Sequence, residues 1–422
     1  MRSIPMLLRQ NIKNLRPSAT LAINEYSNEL SRQGRKVYKL GFGQSPFPVP
    51  GTVVKELAAH AHEKDYLPVK GLGTLREAVA HYHHARTGLA SKKDDVLIGP
   101  GSKELLYIAQ VCFDGDLVVP APSWVSYAPQ AYITGKDPLW ISTSKPKKLV
   151  DAFALEEFCT QHPGRNFMLI LNYPSNPMGT SYTREELKSL AEVARKHALL
   201  IVSDEIYGEL MHTGEHVSIA SYYPEGTIVS SGLSKWCGAG GWRLGTFTFP
   251  ENLRWLIDAM AVVASETFTA TSAPIQYAAV KAFEFGPEVE NYVVDCRKVL
   301  KAIAAYAYTE LSSIGLSMPA PQGGFYLFPD FGKFRDRLAA KGINGSPGLC
   351  RALLEETGVA LLPGADFGQP PSELSARLSY VDFDGQSALA YIKSKRAISA
   401  AEAGEVAPHV AAACKAIKDW LI

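Results

Sequence analysis

Five short apolar runs, each ending in polar residues, constrain this chain more than any other feature. Asp95–Gly99 (DVLIG) leads into Pro100-Gly101-Ser102-Lys103. Asp116–Pro120 (DLVVP) leads into Ala-Pro-Ser-Trp124. Phe167–Leu171 (FMLIL) leads into Asn172-Tyr-Pro-Ser-Asn176-Pro-Met-Gly179. Leu199–Ser203 (LLIVS) leads into Asp204-Glu-Ile-Tyr207, and Thr227–Ser231 (TIVSS) into Gly232-Leu-Ser234-Lys235. Unbroken apolarity over a strand's length describes strands buried on both faces, which is the signature of a parallel sheet with helical crossovers. Helices are expected between them, over Ser102–Phe113 and from the capping box Thr183-x-x-Glu186 to about Ala198. Gly245–Phe249 reads as a further strand. The expected fold is α/β, a large sheet covered by helices on both sides.

The rhythm changes after Gly286-Pro287. A long helical pattern runs to about Ser313. Strands are then expected at Phe325–Phe328, Val359–Leu362 and Arg377–Tyr380, with helices at Leu349–Thr357 and at the C-terminus. This describes a smaller α+β domain to which both termini contribute. The expected division is an N-terminal arm and part of the small domain over 1–47, a large domain over 48–305, and the small C-terminal domain over 306–422.

Composition narrows the function. Of 422 residues, 46% are apolar and 20% charged, enough for a packed core. A formal net charge of +1 leaves no basic field for nucleic acid, and no apolar run reaches membrane-spanning length. The six cysteines are scattered with no C-x-x-C pair, which argues against a zinc site or a disulfide framework; no metal is expected, and a reducing, cytoplasmic location is. The first sixteen residues carry Arg2, Arg9, Lys13 and Arg16 without an acid; an N-terminal arm is expected there rather than a transit peptide.

Ligands in open parallel sheets bind beyond the carboxyl ends of the strands. Taken alone, Asp204 reads as a helix cap, Lys235 as a solvated loop lysine and Trp124 as core. Their joint placement at strand ends reads as a site. Gly101-Ser102-Lys103 opens a helix, where free N–H groups and the helix dipole favour phosphate, and Arg243 supplies a charge-assisted bond to the same group. Neither G-x-G-x-x-G nor G-x-x-x-x-G-K-[ST] occurs here, so a dinucleotide or nucleoside triphosphate is not supported. A lysine, a phosphate cradle, a carboxylate and a stacking indole suit pyridoxal 5'-phosphate.

In these residues the chain resembles the class I aminotransferases, fold type I pyridoxal-phosphate enzymes, from about Pro17 to Ile422, and Leu15-Arg-Pro-Ser18-Ala-Thr20 and Gly101-Ser-Lys103 resemble their bacterial-type aspartate aminotransferase branch. Ser234-Lys235 with Arg243 matches the family's S-K-x7-R, Asp204-x-x-Tyr207 its D-x-x-Y, and Asn172–Gly179 its N-x-P-x-N-P-T-G, with Met178 for the usual threonine. The resemblance implies a seven-stranded, mostly parallel sheet. It implies Lys235 as Schiff-base lysine and proton shuttle, Asp204 as partner of the pyridine nitrogen, and Tyr207 and Asn176 as donors to the phenolic oxygen. It implies Trp124 stacked on the ring, and Gly101, Ser102, Lys103, Ser234 and Arg243 around the phosphate. Arg377 matches the clamp on the substrate α-carboxylate and Gly43 the glycine that approaches it. Tyr66 resembles the tyrosine that reaches the phosphate of a neighbouring subunit, which implies a homodimer with a shared active site. Two departures stand out: Gly232 where many members carry serine, and Gly43-Gln-Ser-Pro46-Phe47 where the family has G-x-P-D.

The same branch places a lysine at the Lys103 position on the distal carboxylate of a dicarboxylic substrate, with Ser18 and Thr20 assisting. A buried carboxylate needs a cation, so the pattern is physically coherent. The expected function is ping-pong transamination between aspartate or glutamate and a 2-oxo acid. The alternatives are an aromatic or alanine aminotransferase, to which Phe42, Phe47, Trp124 and Tyr127 lend an aromatic entrance, and a carbon–sulfur β-lyase. A ligand sensor with an appended DNA-binding module is disfavoured, since only about forty residues precede Gly43. Lys70 is a spare cation without an assigned role.

Overall fold

The computed structural model describes residues 7–13, 15–144 and 146–422; Arg2 of the basic N-terminal stretch lies outside them. Twelve strands occur among these residues: β1 (Tyr38–Lys39), β2 (Val96–Gly99), β3 (Asp116–Ala121), β4 (Leu139–Ser142), β5 (Phe167–Asn172), β6 (Leu200–Asp204), β7 (Thr227–Gly232), β8 (Gly245–Thr248), β9 (Tyr326–Leu327), β10 (Val359–Ala360), β11 (Leu362–Pro363) and β12 (Ala376–Ser379). Seven of them form one sheet in the order β2-β8-β7-β6-β5-β3-β4. All neighbours in it are parallel except β8, which is antiparallel to both β2 and β7.

The apolar runs bury both faces because successive side chains point to opposite sides. Val119, Met168, Ile170, Val202 and Ile228 face a cluster completed by helices Ser102–Cys112, Tyr127–Thr134 and Arg254–Ser265. Val118, Leu169, Leu171 and Ile201 face the other way, against helices Ala152–Gln161 and Arg184–Lys196. Each of these side chains is at most 1% exposed, a burial that stabilises by about 1.5–3 kcal/mol apiece. The capping box forms as expected. Thr183 accepts from the Glu186 N–H, and Glu186 returns the bond to Thr183 N–H.

The remaining strands form two small sheets, β1-β10 and β11-β12-β9. The single strand expected at Val359–Leu362 is split between them: Val359 and Ala360 pair with β1, while Leu362 and Pro363 pair with β12. β4 was not expected. It is an amphipathic edge strand, with Trp140 42% exposed, so it lacks the unbroken apolarity of its neighbours. The helix from Pro287 to Ser313 is continuous. The 305/306 domain border that we propose therefore falls inside its last turns.

Candidate active site

β8 runs against its neighbours, so its first residue lies at the edge where the parallel strands end. Gly245 pairs opposite Gly232, the last residue of β7. The connection between them carries Ser234, Lys235 and Arg243 to that edge. Gly232 itself sits at φ +156°, and a Cβ there would come 2.7 Å from the Leu244 carbonyl oxygen. The backbone leaves no room for a serine there.

A cavity of about 460 Å³ opens at this edge. Ser18, Thr20, Gly43, Ser102, Lys103 and Trp124 line it, together with Asn176, Asp204, Tyr207, Ser234, Lys235, Arg243 and Arg377. Of the expected site residues, two lie elsewhere. Gly101 lies behind Arg243, where its φ of +95° and an overlap of any Cβ with Arg243 Nη2 require glycine. Tyr66 is 91% exposed and does not reach its own chain's cavity. Lys70 is paired with Asp258 at 2.5 Å.

Lys235 Nζ donates to the Gly43 carbonyl at 2.6 Å. Burial first, then the charge of Arg377, pushes its pKa down to about 7, with Asp204 opposing. Asp204 is 3% exposed. Its carboxylate accepts from the Tyr127 hydroxyl at 2.6 Å and from Ser230 at 3.4 Å, both neutral donors. Burial therefore prevails over these bonds and raises its pKa to about 6, with neighbouring Glu205 adding to the rise.

Arg377 is 1% exposed. Its Nη1 donates to Asn176 Oδ1 at 3.0 Å and its Nη2 to the Gly41 carbonyl at 2.6 Å, while Nε has no partner. The guanidinium lies over the Tyr326 ring. No carboxylate satisfies it, although arginine stays ionised. Lys103 is similar: burial and then the charge of Arg243 depress it, and its ammonium lies 5.1 Å from the centre of the Trp124 ring. Thr20 Oγ1 is buried in the same cavity wall without a partner.

Three residues take roles the sequence did not give them: Tyr127, expected at an aromatic entrance, Asn172, expected only as part of its motif, and Tyr326, not singled out. Tyr127 is 1% exposed and sits under Asp204, so it belongs to the site floor rather than to an aromatic entrance. Tyr326 shares a 2.7 Å hydroxyl–hydroxyl bond with Tyr207. Asn172 donates to the Asp204 carbonyl and accepts from the Asn176 N–H, tying the ends of β5 and β6 together. Phe47 is a correction: it is 4% exposed and packs edge-on against Phe383, away from the cavity.

A family model described as aminotransferase class I and II matches residues 35–383. The chain belongs to that family. Aspartate aminotransferase of Bacillus sp. (strain YM-2) is 35% identical over 385 residues, spanning 89% of this aminotransferase and 94% of its relative. Asparagine–oxo-acid transaminase of Streptococcus mutans is 32% identical over 387 residues, spanning 88% and 94%. The solved structure of aspartate aminotransferase from Thermus thermophilus with maleate superposes with a TM-score of 0.80 at 29% identity, covering 93% of this chain and 100% of that one. The family depends on pyridoxal phosphate, so this aminotransferase is a pyridoxal-phosphate enzyme acting on amino acids and 2-oxo acids. Among the described residues no helix is long and apolar enough to cross a membrane, and no group of three or more His, Cys, Asp or Glu is arranged to hold a metal ion.

Proposed function

We propose that this aminotransferase takes the amino group of aspartate or glutamate and passes it to a 2-oxo acid in two ping-pong half-reactions. The observation that carries the reading is a pair of cations without anions. Arg377 and Lys103 line one cavity, and neither is matched by a carboxylate of the chain. A buried guanidinium and a half-buried ammonium of this kind call for an anionic ligand. An amino acid with two carboxylates supplies one anion for each, with Ser18 and Thr20 beside the distal one.

The donor set also fits the cofactor. Asp204 is a buried carboxylate with only neutral donors, suited to a protonated ring nitrogen. Tyr207 and Asn176 lie beside Lys235's cavity wall and suit the phenolic oxygen. Ser102, Ser234, Arg243 and the backbone N–H groups of Ser102 and Lys103 would form a cationic, N–H-rich cradle for phosphate, leaving the Lys103 ammonium for the substrate. Bound pyridoxal phosphate supplies an aldehyde that captures amines and a protonated ring that takes up the electron pair freed at Cα.

Lys235 Nζ would take the Cα proton of the bound amino acid and hold it for return in the second half of the exchange. A pKa near 7 suits it to give and take at neutral pH. Arg377 fixes the α-carboxylate by two parallel hydrogen bonds, which aims the Cα–H bond at Lys235. Trp124, in the cavity wall, would cover the ring and exclude water. A homodimer belongs to the same reading, since Tyr66 reaches out into solvent from a chain whose own cavity it does not line. Cytoplasmic location fits six unpaired cysteines.

The test is a half-reaction screen on cofactor-loaded protein, timing the change in cofactor absorbance as each amino acid is added alone. Aspartate or glutamate is expected to react fastest. Lys103→Ala is expected to lower the rate constant over Kd for aspartate about 100-fold, the scale for stranding a buried charge. The alanine reaction is expected to change less than about threefold. Equal losses for both would remove Lys103 from substrate recognition. Fastest reaction with tyrosine or phenylalanine would move the enzyme to the aromatic class.

A second expected result concerns the cradle. Gly101→Ala forces a left-handed backbone strained by about 1–3 kcal/mol and displaces Arg243. Pyridoxal phosphate should bind at least about tenfold more weakly, read by absorbance titration of the cofactor-free protein.

A further inference from the structure

β6 ends in one acid, Asp204, and is followed directly by a second, Glu205, and the two line different cavities. Asp204 lines the cofactor cavity. Glu205 lines a second, separate cavity of about 170 Å³ on the far side. It is 6% exposed, yet it is the most heavily bonded carboxylate near the site. His216 Nε2 meets Glu205 Oε2 at 2.8 Å. Ser203 Oγ donates to Oε1 at 2.7 Å and Ser218 Oγ at 2.5 Å, with the Tyr173 hydroxyl at 3.4 Å. Nothing in the reaction described above uses this carboxylate.

The bonds explain what it does mechanically. Tyr173 directly follows Asn172 at the end of β5, Ser203 precedes Asp204, and Ser218 and His216 belong to the loop behind them. The Tyr173 hydroxyl also receives the Ile219 N–H at 2.8 Å. One carboxylate thus fastens the loop that carries Asn176 and the strand end that carries Asp204 to a common anchor. Its charge lies one residue from Asp204, across backbone that excludes water, where Coulomb interactions are screened far less than in solvent.

We infer that Glu205, held by His216, is a positioning residue for Asp204, fixing both its orientation and its affinity for protons from the opposite face of the sheet. This rests on the reading of Asp204 as the partner of the cofactor ring. The groups facing Glu205 are accounted for on every side. Helix Gly73–Thr87 presents Tyr82, His83 and Arg86. His83 is 3% exposed and its Nε2 has no partner; burial pushes its pKa down to about 4, so it adds no charge near neutrality. Glu209 is neutralised by Arg86 and Arg297, and Glu215 by Arg184. On this face that leaves Glu205 as the charge that reaches Asp204, while Lys235 acts on it from the cavity side. Burial alone would push the Glu205 carboxyl up, but the charge of His216 and the bonds from His216, Ser218 and Ser203 hold it below the usual range.

The test is a carbon NMR titration of the Asp204 carboxyl in cofactor-free protein, assigned with Asp204→Asn. Glu205→Gln keeps the shape and the one acceptor oxygen that Ser203 and Ser218 use, puts an NH2 where Oε2 faced His216, and removes the charge. The Asp204 midpoint is expected to fall by roughly one pH unit. In the loaded enzyme the pH midpoint of cofactor absorbance should move the same way. An Asp204 midpoint equal to that of the unmodified protein, in a variant with the same melting temperature, would overturn the inference. If Glu205→Gln does not fold, His216→Gln serves: it leaves the Glu205 charge unmatched, and the Asp204 midpoint should rise instead, an unmoved midpoint again being fatal. Failure of the dicarboxylate reading shows separately, as loss of aspartate preference in the half-reaction screen with this titration unaffected.

Discussion

Lys235→Ala is expected to slow the half-reaction at least about 10⁴-fold, the upper range for loss of a positioned acid–base group. The cavity holds one other amine, Lys103, and it lies over the Trp124 ring, assigned above to the substrate's distal carboxylate. No neighbour is placed to take over. Lys235→Arg should be equally inactive, because a guanidinium stays protonated and cannot accept the Cα proton. The protein itself should lose nothing. A lysine whose pKa is pushed down to about 7 by burial is a cost to the fold, so the alanine variant should melt at the same temperature or higher. Binding of pyridoxal phosphate should survive, since the cradle of Ser102, Ser234 and Arg243 is untouched. A small primary amine added to the solution should restore part of the proton transfer. A variant that retains more than a few per cent of the single-turnover rate without added amine would remove Lys235 from that step.

The ends of the parallel strands were legible in the sequence because burial on both faces leaves an unbroken apolar run, and the run stops where the site begins. Five such ends place Asp204, Lys235, Asn176, Trp124 and Ser102 at one edge from the sequence alone. The direction of β8 was not legible. Its connection from β7 spans Leu233 to Leu244, too long for a tight hairpin and about the length at which a crossover becomes possible. Only pairing of Gly245 with Gly232 decides it, and that pairing is what puts Arg243 beside Lys103. β4 escaped for the opposite reason: an edge strand exposes one face and breaks the apolar run. Tyr127 and Glu205 escaped because a side chain's facing is set by the backbone that carries it. Tyr127 begins a helix three residues past Trp124 and turns beneath Asp204. Glu205 follows Asp204 directly and turns away from it. A single sequence shows two adjacent acids and gives no sign that they serve different cavities.

Asp204→Asn is expected to lower the half-reaction about 10³-fold, the scale for deleting one preorganised electrostatic group. The amide still accepts the Tyr127 hydroxyl bond, so the floor of the site stays in place, but no negative charge remains to hold a proton on the ring nitrogen. The cofactor-free protein should respond in the opposite direction. In the folded chain the Asp204 pKa is raised from 3.8 to about 6, chiefly by burial. A carboxyl with a raised folded pKa binds its proton more tightly in the native state. Stability is therefore lost as pH climbs from about 4 to about 6 and stays lost above that. At 1.36 kcal/mol per pH unit the penalty above pH 7 is about 3 kcal/mol. Asp204→Asn should remove it, so cofactor-free Asp204→Asn should melt several degrees above the unmodified protein at pH 8 and level with it at pH 4. Loading with pyridoxal phosphate should reverse the order at pH 8, because the ring cation then rewards the carboxylate that burial had penalised. Equal melting temperatures at pH 8 without cofactor would mean that Asp204 already has a counter-charge in the empty cavity, and its assignment to the ring nitrogen would fall with that result.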